Sequence, residues 1–259
     1  MVDSHAPIAV FDSGMGGISV LRELVCCMPN EDFLFFGDSL HAPYGTRPVQ
    51  EVRELTMGIA EQLTARGAKA LVVACNTATS AAIGDLRARW PDLPVVGLEP
   101  ALKPAVLACP RGRVLVLATP LTLREEKFAA LMDRCRGQAS ILSQPAPELV
   151  EFVERGLRDR AELAEYLHTL LTPYREEPVD GVVLGCTHFP FARTQIARAL
   201  GYPVRFFDGG SGAARETCRL LERAGTRCTE QRTGTVALEN SEDNEARRTV
   251  SWKLFRMED

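Results

Sequence analysis

Short runs of apolar, β-branched or aromatic residues alternate along the chain with longer stretches in which apolar positions recur every three or four residues. The first pattern predicts strands at 8–11, 33–36, 70–74, 95–98, 113–117, 181–184 and 205–207, and the second predicts helices between them. Residues 51–66 show the helical period clearly: Val52, Leu55, Ile59 and Leu63 fall on one face, which should pack on a sheet. Runs such as Leu71-Val72-Val73-Ala74 and Val182-Val183-Leu184 carry no polar alternation. Strands of that kind belong in the middle of a parallel sheet covered by helices on both sides. The pattern as a whole predicts an α/β protein, doubly wound, with mainly parallel sheets. Near the C-terminus, 234–238 and 249–255 read as two further strands joined by an acidic, solvated turn at 239–245.

Two segments repeat one design. "VVACNTATSA" starts at Val72 and "VVLGCTHFPF" at Val182; each is an apolar strand that ends in a small residue, then a cysteine, then two polar residues. Placing Cys75 on Cys186 also aligns residues 69–74 with 180–185, which predicts two similar α/β domains. Each domain would then offer one cysteine at the carboxyl end of a central strand, where open α/β sheets bind ligands. Facing each other, the two domains would enclose a cleft. The expected division is 1–97 plus 208–259 for the first domain and 98–207 for the second, with 95–100 and 206–210 as the crossing segments.

Composition narrows the functions. A chain of 259 residues with 46% hydrophobic residues can bury a sizeable core, and a formal net charge of -4 lacks the basic footprint of a nucleic-acid binder. The first residues do not form a secretory signal, and no apolar run reaches the length of a membrane span. A cytoplasmic protein with reduced cysteines is therefore expected, without a membrane or nucleic-acid partner. The eight cysteines show no paired CxxC spacing, so no structural zinc ribbon is expected. Cys26, Cys27, Cys109, Cys135, Cys218 and Cys228 read as small apolar fillers or incidental thiols.

Four readings compete for Cys75 and Cys186. Each could be a core residue; the pair could form a redox disulfide, though neither has a resolving partner nearby; or they could join Asp12 and His188 around a metal, a set that spacing does not support. The fourth reading is a pair of acid/base catalysts on opposite faces of a substrate carbon, and a thiol suits that task because its pKa lies near working pH. Such chemistry would need no cofactor. The four lysines, Lys69, Lys103, Lys127 and Lys253, avoid the strand-end loops where a pyridoxal Schiff base would be expected. The loop Phe11-Asp12-Ser13-Gly14-Met15-Gly16-Gly17-Ile18-Ser19 approaches a dinucleotide fingerprint, but Ser19 replaces its last glycine and Asp12 would stand beside the phosphate. A turn that offers Asp12, Ser13 and backbone amides to a small amino acid is more economical.

Taken together, "FDSGMGGISVL" from Phe11, "GDSLHAPYGTR" from Gly37, "ACNTAT" from Ala74 and "LGCTHFP" from Leu184 resemble the glutamate racemases, a cofactor-independent family that provides D-glutamate for bacterial peptidoglycan. The resemblance implies L-/D-glutamate as substrate, no cofactor, no metal, and compatibility with a homodimer. It implies that Cys75 takes the α-proton from D-glutamate and Cys186 from L-glutamate, assisted by Asp12 and His188 respectively. It implies substrate binding by Asp12, Ser13, Tyr44, Gly45, Asn76, Thr77, Thr187 and His188. Thr119 and Thr122 are retained from the family's "GTPGT", which reads Ala118-Thr119-Pro120-Leu121-Thr122 here. An acidic helper is matched to Glu154 in "SQPAPELVEFVERG" from Ser143, with Glu148 and Glu151 as competitors. A racemase for aspartate or another acidic amino acid, a non-catalytic amino-acid binding protein, and a Cys75–Cys186 redox switch stay open as alternatives.

Overall fold

Among the described residues, nine strands follow one another as β1 Ile8–Asp12, β2 Phe33–Gly37, β3 Ala70–Val73, β4 Val95–Gly97, β5 Arg113–Ala118, β6 Ser140–Pro145, β7 Gly181–Leu184, β8 Arg205–Phe207 and β9 Val236–Asn240. A computed structural model describes residues 3–124, 126–157 and 160–257. The chain divides into two compact units, the first built from 3–98 and 210–256 and the second from 99–209. Both contain a parallel sheet flanked by helices.

In the first unit the strand order is β4-β3-β1-β2-β9, and every pairing is parallel. All five residues of β1 are buried. Ala9 and Phe11 join the cluster that holds Val52, Ile59 and Leu63, while Ile8 and Val10 are buried outside it. Two-sided burial of this kind is why the central strands read as unbroken apolar runs. The helix Val49–Ala65 begins two residues before the expected start, directly after Pro48, and buries Val52, Ile59 and Leu63. It packs on the helix Asn76–Arg89, and the helix Ile18–Cys27 packs on Gly210–Ala224.

The second unit orders its strands β6-β5-β7-β8, again all parallel. Its core joins Val114, Val116 and Val183 to Leu102, Val106, Phe128 and Leu131. No helix among the described residues is long and apolar enough to cross a membrane.

One expected strand is corrected. Residues 249–255 belong to the helix Glu245–Phe255. Its N-cap is Asn244, whose side chain accepts the Arg247 N–H at 2.9 Å, and Val250 and Leu254 are buried one turn apart. This cap and this spacing outweigh the strand preference of Thr249, Val250 and Trp252. The other C-terminal strand is present but shifted to 236–240, so Glu239 and Asn240 lie in β9 rather than in a turn, and Glu239 forms a two-pronged pair with Arg66.

Candidate active site

The first unit collects polar side chains at the carboxyl ends of β1, β2 and β3. Asp12 closes β1, is fully buried, and accepts the Gly17 N–H on Oδ2 at 2.8 Å. Position 17 must be small, because a Cβ there would lie 2.6 Å from the Asp12 Cβ and 3.1 Å from that of Ala74. Gly17→Ala is therefore expected to push Asp12 aside and to cost about 1–3 kcal/mol, the usual range for overpacking. Urea unfolding checks this, and an unchanged midpoint would be the contrary result.

Cys75 follows β3 and caps the helix Asn76–Arg89. Its extended backbone, φ −124° and ψ 121°, turns Sγ over the first helical turn, where it accepts the Ala78 N–H at 3.4 Å. The thiol in turn donates to Ser13 Oγ at 3.4 Å, joining the loops after β1 and β3. The positive end of the helix dipole favours negative charge at this sulfur. Asn76 and Thr77 are buried in the first turn. Thr79 Oγ1 donates to Val73 O at 3.2 Å and accepts from Leu98 N at 3.0 Å, which fixes the helix start against β3 and the segment after β4.

Tyr44 and Gly45 lie in the 3₁₀ turn Tyr44–Thr46, after a cis Ala42–Pro43 bond. Tyr44 is buried and donates to Asp38 Oδ2 at 2.7 Å; the almost fully buried Asp38 also meets His41 Nδ1 at 2.9 Å. Burial, followed by the Asp38 hydrogen bond and the charges of Asp38, Cys75 and Asp12, raises the Tyr44 hydroxyl far above its ordinary range. Tyr44 is thus a neutral donor at working pH. Asp38 and His41 are missing from the sequence candidates, although Asp38 directly follows β2, a strand-end position close to that of Asp12 on β1.

In the second unit Cys186 stands two residues beyond β7 and is partly exposed, whereas Thr187 and His188 are buried. Gly185 N–H donates to Leu117 O at 2.7 Å, so the end of β7 lies against that of β5. Cys186 Sγ is 3.6 Å from His188 Nδ1, and His188 Nε2 is 2.7 Å from Glu154 Oε1. Glu154 ends the helix Glu148–Glu154. Of the three glutamates considered, Glu148 is exposed, Glu151 pairs with Arg155 at the surface, and Glu154 reaches the histidine. Thr119 and Thr122 open the short helix Pro120–Arg124 beyond β5, with hydroxyls 3.0 Å apart, and Thr119 Oγ1 also accepts the Thr122 N–H at 3.3 Å. None of the eight cysteines is in a disulfide, and among the described residues no group of three or more His, Cys, Asp or Glu is arranged to hold a metal ion.

Residues 27–217 match the family model of Asp/Glu/hydantoin racemases. The chain belongs to this racemase family. It is an isomerase, with both units built on parallel sheets. A glutamate racemase of Clostridium novyi (strain NT) is 47% identical over 238 residues, covering 92% of each chain. Among solved structures, a glutamate racemase isoform of Bacillus anthracis superposes with a TM-score of 0.86 at 28% identity, covering 96% of this chain and 94% of that one. The glutamate racemase of Francisella tularensis subsp. tularensis SCHU S4, solved in complex with D-glutamate, gives a TM-score of 0.83 at 25% identity, with 98% and 95% covered.

In this racemase His188 titrates well above its ordinary value. Burial alone would lower it, but the hydrogen bonds to Cys186 and Glu154, with their charges, outweigh burial. A histidine raised in this way contributes stability that is fully present below its unfolded pKa of about 6.5 and is lost as pH rises through the folded value. Glu154→Gln removes one of the raising partners. The His188 midpoint is expected to fall in an NMR titration, and the stability gap between parent and variant should be widest while His188 is protonated in both and narrow as pH rises from the variant's folded value through the parent's. An unmoved midpoint would show that Glu154 does not hold this proton.

Proposed function

We propose that this racemase interconverts L- and D-glutamate by a two-base mechanism in which Cys75 and Cys186 act on opposite faces of the α-carbon. The observation that carries the proposal is the duplicated strand-end cysteine with a separate helper set on each side: Ser13 beside Cys75, with Asp12 at the end of neighbouring β1, and His188 with Glu154 behind Cys186. In the D-to-L direction the Cα–H bond of D-glutamate breaks and its proton passes to the Cys75 thiolate. The Cys186 thiol gives its proton to the opposite face. The cycle leaves Cys75 as thiol and Cys186 as thiolate, ready for the reverse reaction. An imidazolium at His188 is a proton donor and counter-charge for that sulfur. Asp12, at the end of neighbouring β1, is assigned the proton-transfer part near Cys75; as a carboxyl group it can relay a proton, while the start of the helix Asn76–Arg89 supplies the favourable field for that thiolate.

Glutamate as substrate is supported by the names of the close relatives and by the D-glutamate complex of the Francisella tularensis protein. Backbone amides at helix starts and neutral donors such as Asn76, Thr77, Thr187, Thr119 and Thr122 suit two carboxylates, while side-chain oxygens, that of Tyr44 among them, can accept from an ammonium group. No added cofactor is required in this scheme, and D-glutamate formed in the cytoplasm would supply peptidoglycan synthesis. The test is to incubate the purified protein with D-glutamate and with D-aspartate under reducing conditions, without added cofactor, and to follow optical activity. Turnover of glutamate with a large excess of kcat/KM over aspartate supports the proposal. Preference for aspartate would move the substrate, because a site built for one chain length leaves polar groups unpaired with another. Binding without turnover would overturn it.

A further inference from the structure

The C-terminal segment has no part in the scheme above, yet it reaches the loop that carries Tyr44 and Gly45. β9 adds to the sheet beside β2 in register, with Gly37 opposite Asn240. At this crossing three hydrogen bonds join residues 240 and 241 to the end of β2 and the start of the loop. Asn240 Nδ2 donates to Ser39 Oγ at 2.9 Å, Leu40 N–H donates to Ser241 Oγ at 3.0 Å, and Ser241 N–H donates to Gly37 O at 2.9 Å. Asn240 uses both ends of its amide, since its Oδ1 accepts the Glu242 N–H at 2.9 Å. A Cβ at position 37 would lie 3.0 Å from Asn240 Nδ2 and 2.4 Å from Gly14 O, so the glycine allows the asparagine and the β1 loop to approach from both sides.

These ties stand where hydrophobic burial is missing. The loop is anchored at one end by buried Asp38 and at the other by buried Tyr44, but Leu40 between them is 63% exposed. Between its buried ends the segment is held by polar contacts, some local, such as Arg47 Nε to His41 O and His41 with Asp38, and two from residues two hundred positions away. Tyr44 hangs on Asp38, which sits at the root of the same loop, so freedom at Ser39 and Leu40 becomes freedom in the direction of the Tyr44 hydroxyl.

We infer that Asn240 and Ser241 are positioning residues that hold the 38–46 loop in its substrate-binding conformation, making the C-terminal strand part of the active-site scaffold. The inference rests on the proposed role of Tyr44 and Gly45 in binding the substrate. Two readouts separate its failure from failure of that role. Amide hydrogen exchange on the full chain without substrate reads the clamp alone. Ser241→Ala and Asn240→Ala should each raise exchange across 38–46 by about five- to tenfold, the worth of one hydrogen bond, with exchange in the second unit unchanged. Steady-state kinetics reads the consequence. KM for D-glutamate should rise by about five- to tenfold with kcat within twofold, and Ser241→Thr, which keeps the hydroxyl, should restore both readouts. Unchanged exchange in both alanine variants would overturn the clamp. Faster exchange with an unchanged KM would overturn its role in substrate binding. A parent enzyme with no turnover would refute the glutamate reading while leaving the exchange result to decide the clamp.

Discussion

Cys75→Ser is expected to lower kcat/KM for racemisation in both directions by about 10²- to 10⁴-fold, the range supplied by a positioned acid or base. Each direction needs Cys75, once as the base and once as the acid. A serine hydroxyl occupies nearly the same volume and can accept the Ala78 N–H, so the helix cap survives while the readily ionised sulfur is lost. Cys186→Ser should lose activity to a comparable degree. Circular dichroism of glutamate follows the rate, and unchanged thermal midpoints confirm that the variants are folded. Activity of either variant within tenfold of the parent would contradict the two-base scheme.

Lys69→Met is expected to produce the largest loss of stability, about 3–5 kcal/mol, the cost of breaking a buried ion pair by removing one partner. Lys69 is fully buried and lies immediately before β3. Its Nζ donates to Glu31 Oε2 at 2.5 Å, to Ser4 O at 2.5 Å and to Thr226 O at 3.0 Å, while Glu31 Oε1 accepts the Cys228 N–H at 2.8 Å. One ammonium thus joins the N-terminal segment, the turn before β2 and the end of the helix Gly210–Ala224. Without it the Glu31 carboxylate is stranded in a site only 2% exposed. Denaturant unfolding measures the loss. Adding Glu31→Gln to Lys69→Met should recover part of it, because the glutamine oxygen can still accept the Cys228 N–H without carrying charge. A single variant that unfolds at the parent midpoint would contradict this account.

What could be read from the sequence follows where burial is two-sided. β1, β3 and β7 lie inside their sheets with helices on both faces, so their residues are apolar throughout and their ends mark where Asp12, Cys75 and Cys186 emerge. β6 went unread because it is an edge strand, and Ser140, Ser143, Gln144 and Pro145 break any apolar run. The helix Glu245–Phe255 was hidden by residues that favour strands locally, and its cap at Asn244 was masked by the acidic run around it.

The site shows the same boundary. The contact of Cys75 with Ser13 and that of Cys186 with His188 come from residues near strand ends that the motifs already marked. Glu154 could be told from Glu148 and Glu151 only in three dimensions, because helix Glu148–Glu154 sets which carboxylate meets His188. Asp38 carried a local signal in its place after β2, but its service to Tyr44 depends on how the loop folds back. Asn240 and Ser241 carried none, since their partners lie some two hundred residues earlier.

The central claim, that two separate bases serve the two faces of the α-carbon, is tested most directly by the fate of the α-hydrogen in deuterated water. Protiated D-glutamate is given to the reduced enzyme, and substrate and product are separated and weighed by mass spectrometry during the first few per cent of turnover. With two bases, the L-glutamate formed carries solvent deuterium at the α-carbon while the recovered D-glutamate is still protiated. Early deuterium in the recovered D-glutamate, or L-glutamate that keeps the original proton, would mean that one base serves both faces and would contradict the assignment of Cys75 and Cys186.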